Sequence, residues 1–175
     1  TYFRKNQWIN SLEQLQELYT QQPEKMLDYA QRLQLGLAQI SLLPEPEQAA
    51  DEQTIDLLVE KWKKSFDHEF GGLARAPKFM MPSNYEFLMR YAYQKNDAEL
   101  QEFVDLTLTR MAWGGLFDTV DGGFSRYSVD MRWHVPHFEK MLYDNGQLVS
   151  LYAQAYKRTQ NPLYKTVIEK TLDFV

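Results

Sequence analysis

The sequence predicts an all-α fold assembled from helical hairpins. Apolar residues recur at three- and four-residue intervals along almost the whole chain, which is the period of amphipathic helices and not of strands. Most stretches between these stripes are short, and short connections make consecutive helices antiparallel neighbours. With 175 residues, 44% of them apolar and 25% charged, the chain is long enough to bury a real core.

Taken in order, Trp8, Leu12, Leu15 and Tyr19 fit a short amphipathic helix, and Met26, Ala30, Leu33, Leu37 and Ile40 fit a longer one. Pro44 and Pro46 break the pattern and mark the expected internal boundary. Ile55, Leu58, Val59, Trp62 and Phe66 resume it. A fourth stripe, Tyr85, Leu88, Met89 and Ala92, follows Ser83 or Asn84 as N-cap. Leu100, Phe103, Val104, Leu108 and Met111 form a fifth. A long sixth helix is expected from Phe138 to about Arg158, and Pro162 opens a seventh in its first turn. Two connections are long: Asp67–Ser83, and Gly114–Pro136 with its two Gly-Gly pairs. Within the second, Phe124–Val129 partly alternates and pairs with Arg132–Val135 in a predicted small β-hairpin near 124–135. Long loops in compact domains are commonly functional, and the aromatic residues here argue for order.

Composition closes off several classes. The net charge of −5 gives no basic footprint for nucleic acid or an anionic membrane. There is no apolar run long enough to span a bilayer and no signal-peptide pattern, so a cytoplasmic location is expected. Without cysteine the chain offers no disulfide, thiolate ligand or thiol nucleophile. His68, His134 and His137 lack the usual ligand spacings, and no metal or other cofactor is expected. The chain opens at Thr1 without methionine and stops at Val175 inside an apolar-periodic run, so it reads as a piece of a longer protein. The apolar stripe near Leu163–Val175 is then expected to be unpartnered and prone to self-association.

The densest chemistry lies in Trp133–Asn145. A helix starting near Pro136 or His137 places His137, Lys140, Met141 and Asp144 on one face, and Phe138, Leu142, Val149 and Tyr152 on the core side. Its N-terminus suits a bound carboxylate, phosphate or developing oxyanion. A purely structural reading stands beside this one. Glu139 then offsets the helix dipole, Lys140–Asp144 is an ordinary i, i+4 pair, and His137 caps a turn. In the preceding loop Asp118, Arg126, Asp130 and Arg132 are candidates for orientation and charge stabilisation. Tyr127 and Trp133 offer flat walls for a sugar ring; alternatively Arg126–Asp130 pins the hairpin and the aromatics pack it. Lys78, in the other long loop, is placed to reach the same mouth or to lie on the surface.

Four strings in order carry a resemblance. They are Gly71-Gly72 with Ala76-Pro77-Lys78-Phe79; Met111-Ala112 with Gly114-Gly115 and Asp118; Gly122 to Asp130; and Trp133 to Asn145. From Phe66 to Val175 the chain resembles the thioredoxin-domain-containing family that includes spermatogenesis-associated protein 20 and bacterial YyaL-like proteins. Asp121 stands where that pattern has glycine, and Met80 where it has proline. The resemblance implies that 1–46 holds the C-terminal helices and linker of a thioredoxin-like domain. It implies that 47–175 is the N-terminal portion of an (α/α)6 toroid of the six-hairpin glycosidase-like kind. It also implies that the redox cysteines lie upstream of this chain.

Two functions follow as expectations. In the first, the toroid handles a sugar or sugar acid in epimerase, isomerase or glycosidase fashion. His137 is then the general acid/base, oriented by Asp144 or Glu139, and Arg126 and Lys140 stabilise charge. For hydrolysis, Asp118 and Asp144 are the carboxylate candidates. Tyr127, Trp133, His134, Lys78 and Asn145 complete the binding set. In the second, the chain is a non-catalytic interaction module, and its partners are the remainder of the parent chain with an upstream thiol–disulfide domain.

Overall fold

The computed structural model describes residues 4–41 and 51–175, with the side chains of 39–41 left aside. The expected boundary at Pro44 and Pro46, and the side chain of Ile40, lie outside the described residues. Among the described residues there are seven α-helices and one small sheet. No described helix is long and apolar enough to cross a membrane. The chain divides into two compact units, Thr1–Thr54 and Ile55–Val175.

The first unit holds α1 (Lys5–Gln21) and α2 (Pro23–Ser41). Arg4 caps α1 through its backbone N–H, which donates to Gln7 Oε1 at 3.1 Å. Pro23 opens α2 at the first helical position, where its missing N–H has no partner to lose. Both predicted stripes form helices, and α1 buries none of its residues.

In the second unit α3 (Glu52–Lys63) presents Ile55, Val59 and Trp62 to the core. Phe66, read as part of that stripe, lies beyond the helix. It bridges to Leu73 and stacks on Phe103 at 3.9 Å. Two tight hairpins follow. Helices α4 (Pro82–Lys95) and α5 (Ala98–Trp113) are joined by Asn96 in the left-handed conformation and by Asp97, whose carboxylate accepts the Leu100 N–H. Helices α6 (Leu142–Thr159) and α7 (Pro162–Phe174) are joined by Gln160, also left-handed, and by Asn161, whose side chain accepts the Leu163 N–H. Asparagine-type caps and left-handed C-terminal residues are the local chemistry that stops one helix and starts the next. The hairpins stack with α4 on α6 and α5 on α7. Leu88, Ala92, Leu108, Met111, Leu148 and Tyr152 fill the space between them. Tyr152 keeps its hydroxyl satisfied by donating to Leu108 O at 2.7 Å.

The sixth helix departs from expectation at its start. It begins at Leu142, not near His137, because Pro136–His137 is drawn into a strand. Consequently Phe138 and Leu142 are exposed, and the core face of α6 is Asn145, Leu148, Leu151, Tyr152 and Ala155. In α7, Tyr164, Val167 and Thr171 are buried while Leu172 and Val175 are exposed.

Candidate functional site

The two long loops meet in a three-stranded antiparallel sheet: β1 (Lys78–Phe79), β2 (Tyr127–Ser128) and β3 (Pro136–His137). The predicted hairpin is therefore present, with its second strand just past Val135. Lys78 pairs with Ser128 and Ser128 with Pro136; Phe79 pairs with Tyr127 and Tyr127 with His137. Side chains alternate across a strand, so this register sorts the residues onto two faces.

One face is buried. Lys78 is 2% exposed, and its ammonium donates to Asp67 Oδ2 and to Gly71 O, each at 2.6 Å. It also sits 5.3 Å from the ring centre of Trp133, within cation–π range. Trp133 is wholly buried and donates its indole N–H to Phe70 O at 2.8 Å. Burial pushes the Asp67 carboxyl up; the Lys78 hydrogen bond and the Phe70 and Glu69 N–H groups outweigh it, leaving the group below the ordinary carboxylate range. Lys78 and Trp133 thus act inside the fold. Neither the surface position nor the mouth position read for Lys78 is observed, and the Trp133 ring is not available as a wall for a ligand.

The other face carries a ladder of rings. Phe79 and Tyr127 lie 4.8 Å apart, and Tyr127 stacks on His137 at 4.7 Å with 17° between their planes. Beside it, Arg126 donates its backbone N–H to Glu139 O at 2.8 Å and its guanidinium to Glu139 Oε2 at 3.3 Å. His137 Nδ1 is 3.7 Å from the same carboxylate oxygen, beyond hydrogen-bond length, and this buried nitrogen has no hydrogen-bond partner. Glu139, not Asp144, is the carboxylate beside His137.

A hollow of about 250 Å³ opens next to the ladder, lined by Phe79, Met81, Ser83, Arg126, Tyr143 and Asp144 among others. It lies between the first turns of α4 and α6. Neither helix has a side-chain cap, whereas α5 and α7, which start at the far end, are capped by Asp97 and Asn161. Uncapped first-turn N–H groups present partial positive charge to whatever occupies the hollow. Met81, wedged between β1 and Pro82, takes a left-handed conformation with φ 43° and ψ 56°. That geometry costs a non-glycine residue roughly 1–2 kcal/mol, and such strain concentrates at functional sites. Asp144 is half-buried; desolvation raises its pKa above the ordinary aspartate value, and nearby Arg126 opposes this.

The remaining predicted residues lie elsewhere. Lys140 reaches Asp118 Oδ2 at 2.7 Å and Gly122 O at 2.8 Å, so the predicted Lys140–Asp144 helix pair is not formed. Asp118 is held at about 2 by that lysine and by the Asp121 and Val120 N–H groups. It does not line the hollow, and an Asp118–Asp144 hydrolytic couple is not assembled there. Asn145 is buried, accepting the Phe124 N–H at 2.6 Å and donating back to Phe124 O at 3.1 Å. His134 is exposed on the β2–β3 turn, where Asp130 gathers the N–H groups of Arg132, His134 and Val135. Asp130 therefore pins the turn through backbone, and Arg126 is left for Glu139.

Residues the sequence reading did not single out are Asp67, Met81, Ser83 as a lining group, and Tyr143. Asp67 opens the first long loop, and Tyr143 belongs to the Trp133–Asn145 string, so both lay in stretches already marked. Nothing in the sequence signalled the left-handed backbone of Met81.

No known protein-family profile matches the chain. Human spermatogenesis-associated protein 20 is 36% identical over 172 residues, covering 92% of this chain and 21% of that protein. The mouse protein of the same name is 41% identical over 116 residues, covering 64% of the chain and 15% of its own length. An uncharacterized protein of Caenorhabditis elegans is 39% identical over 132 residues, covering 70% of the chain and 18% of its own length. The chain thus spans about a fifth or less of the curated relatives it matches.

Proposed function

We propose that the hollow between the starts of α4 and α6 binds a sugar or sugar acid, within a longer protein of the spermatogenesis-associated protein 20 kind. One observation carries this reading: two uncapped helix starts and Arg126 converge on a hollow walled by an aromatic ladder. The N–H groups and the guanidinium suit a carboxylate. The ring faces suit the apolar side of a pyranose, and Ser83, Tyr143 and Asp144 offer partners for its hydroxyls.

In this reading Arg126 holds the anionic group. Asp144, kept more readily protonated by its burial, exchanges a proton with the ligand, and His137 with Glu139 beside it is the second acid/base group. Proton abstraction next to a carbonyl, as in an isomerase or epimerase, fits one anion clamp and two such groups. Glycoside hydrolysis fits less well, because Asp118 is engaged by Lys140.

The same reading takes the two hairpins as consecutive units of an (α/α) toroid. Its support is the alternation of contacts, α4 with α6 and α5 with α7, which is how hairpins laid side by side form two helical layers. The alternative, a non-catalytic module that serves an upstream thiol–disulfide domain, draws on the burial of Lys78, Trp133 and Asn145. A string whose most distinctive members pack the interior needs no ligand.

Thermal shift of the full-length protein against neutral sugars, sugar acids and sugar phosphates separates the two. A ligand at a hundred times its Kd stabilises by about 2.7 kcal/mol, a readily measured shift. We expect it from a sugar acid and expect Arg126→Ala to remove it. A full panel with no response overturns the proposal and leaves the interaction module.

A further inference from the structure

We infer that the seam between α4 and α6 is one extended cleft for a linear acidic oligosaccharide, with a second subsite formed by Arg90, Tyr93 and Lys157. The inference rests on the proposed sugar-acid site and names the length of its ligand. Both helices start at the first hollow and run the same way, side by side. A second hollow, of about 640 Å³, opens further along the same two helices, between Met89–Gln94 of α4 and Gln154–Arg158 of α6. Ser83 to Tyr93 on one helix, and Asp144 to Gln154 on the other, each advance about 15 Å at 1.5 Å per residue.

The floor between the hollows is polar and fixed. Glu86 Oε1 accepts from Arg90 at 2.6 Å and from Gln154, across the seam, at 3.0 Å, and Ser150 lies within reach of Gln154 at 3.5 Å. Such a floor offers hydroxyl-bonding groups and no apolar sockets, which favours a polyhydroxylated chain over a peptide. At the far end Tyr93 is 72% exposed and presents a ring face. Arg158 is tied to Asp105, yet its buried Nε has no hydrogen-bond partner. Lys157 forms no ion pair among the described residues. Cations therefore stand at both ends of a polar seam, Arg126 at one and Arg90 and Lys157 at the other. A nucleic acid is disfavoured by the net charge of −5.

The test is calorimetric titration of the full-length protein with galacturonate, its dimer and its tetramer, and with an acidic peptide of similar length. The tetramer is expected to bind at least tenfold tighter than the monomer. In the variant with Tyr93→Ala and Lys157→Ala that ratio should fall towards one. If the monomer binds and the tetramer binds no tighter, the extended cleft is refuted while the first site stands. If the ratio is intact in the variant, the second subsite is misplaced and the inference fails. Tighter binding of the peptide than of the tetramer overturns the ligand class. If no saccharide binds, both the cleft and the sugar-acid site are lost.

Discussion

Lys78 Nζ lies 2.6 Å from Asp67 Oδ2, with 1% and 9% of the two side chains exposed, beneath the sheet whose other face carries the ring ladder. The pair ties the first long loop to the strand that ends at Phe79 and Met81. Removing one partner of a buried ion pair strands the other charge and costs about 3–5 kcal/mol. Lys78→Met is therefore expected to lower the urea unfolding midpoint strongly. Lys78→Met with Asp67→Leu is expected to recover a large part of the loss, measured on the same denaturation curves.

The same pair sets a pH dependence. Asp67 has a folded pKa below its unfolded value, so its contribution is complete above the unfolded pKa and is lost as pH falls through the folded one. Stability of the Asp67→Asn variant should be lower than wild type at pH 7, and the gap should close below about pH 4, near the ordinary aspartate value. A gap that persists at lower pH would show that the loss is steric.

Glycine positions separate two opposite outcomes. Gly72 has φ +72°, and a Cβ there meets Trp133 Cζ2 at 2.5 Å, so Gly72→Ala should destabilise severely. Gly146 lies inside α6 with open space around its missing side chain. Gly146→Ala should raise stability by about 0.5–1 kcal/mol. Thermal denaturation of both variants gives the signs directly.

Asp144 is expected to titrate above an ordinary aspartate in NMR spectra, and Arg126→Ala should raise it further by removing the opposing charge. An acid with a raised folded pKa binds more protons folded than unfolded, so stability falls as pH rises through the interval between the two values. Asp144→Asn should then stabilise at pH 7 and give no gain below the unfolded pKa.

Helix stripes, the two long loops and the β2–β3 hairpin were legible because periodicity and proline–glycine punctuation are local. What failed was non-local. His137, Glu139 and Lys140 fit the first turn of a helix by spacing. The sheet draws Pro136–His137 into β3, and Lys140 turns to Asp118, 22 positions away. Lys78 read as either surface or mouth because its partner Asp67 is identified only once the loop is closed. Arg126 and Asp144 were singled out from charge alone and do share the hollow; Trp133, singled out from the same string, is interior. Residue type marked the stretch, and register decided which side each residue faces.

The most direct test of the sugar-acid site is calorimetric titration of the full-length protein with glucuronate, wild type against Arg126→Met. A charge-assisted hydrogen bond is worth about 1.5–3 kcal/mol. Saturable binding that weakens tenfold or more in the variant is the predicted result. Equal affinities in the two proteins, or no binding to the wild type, would contradict it.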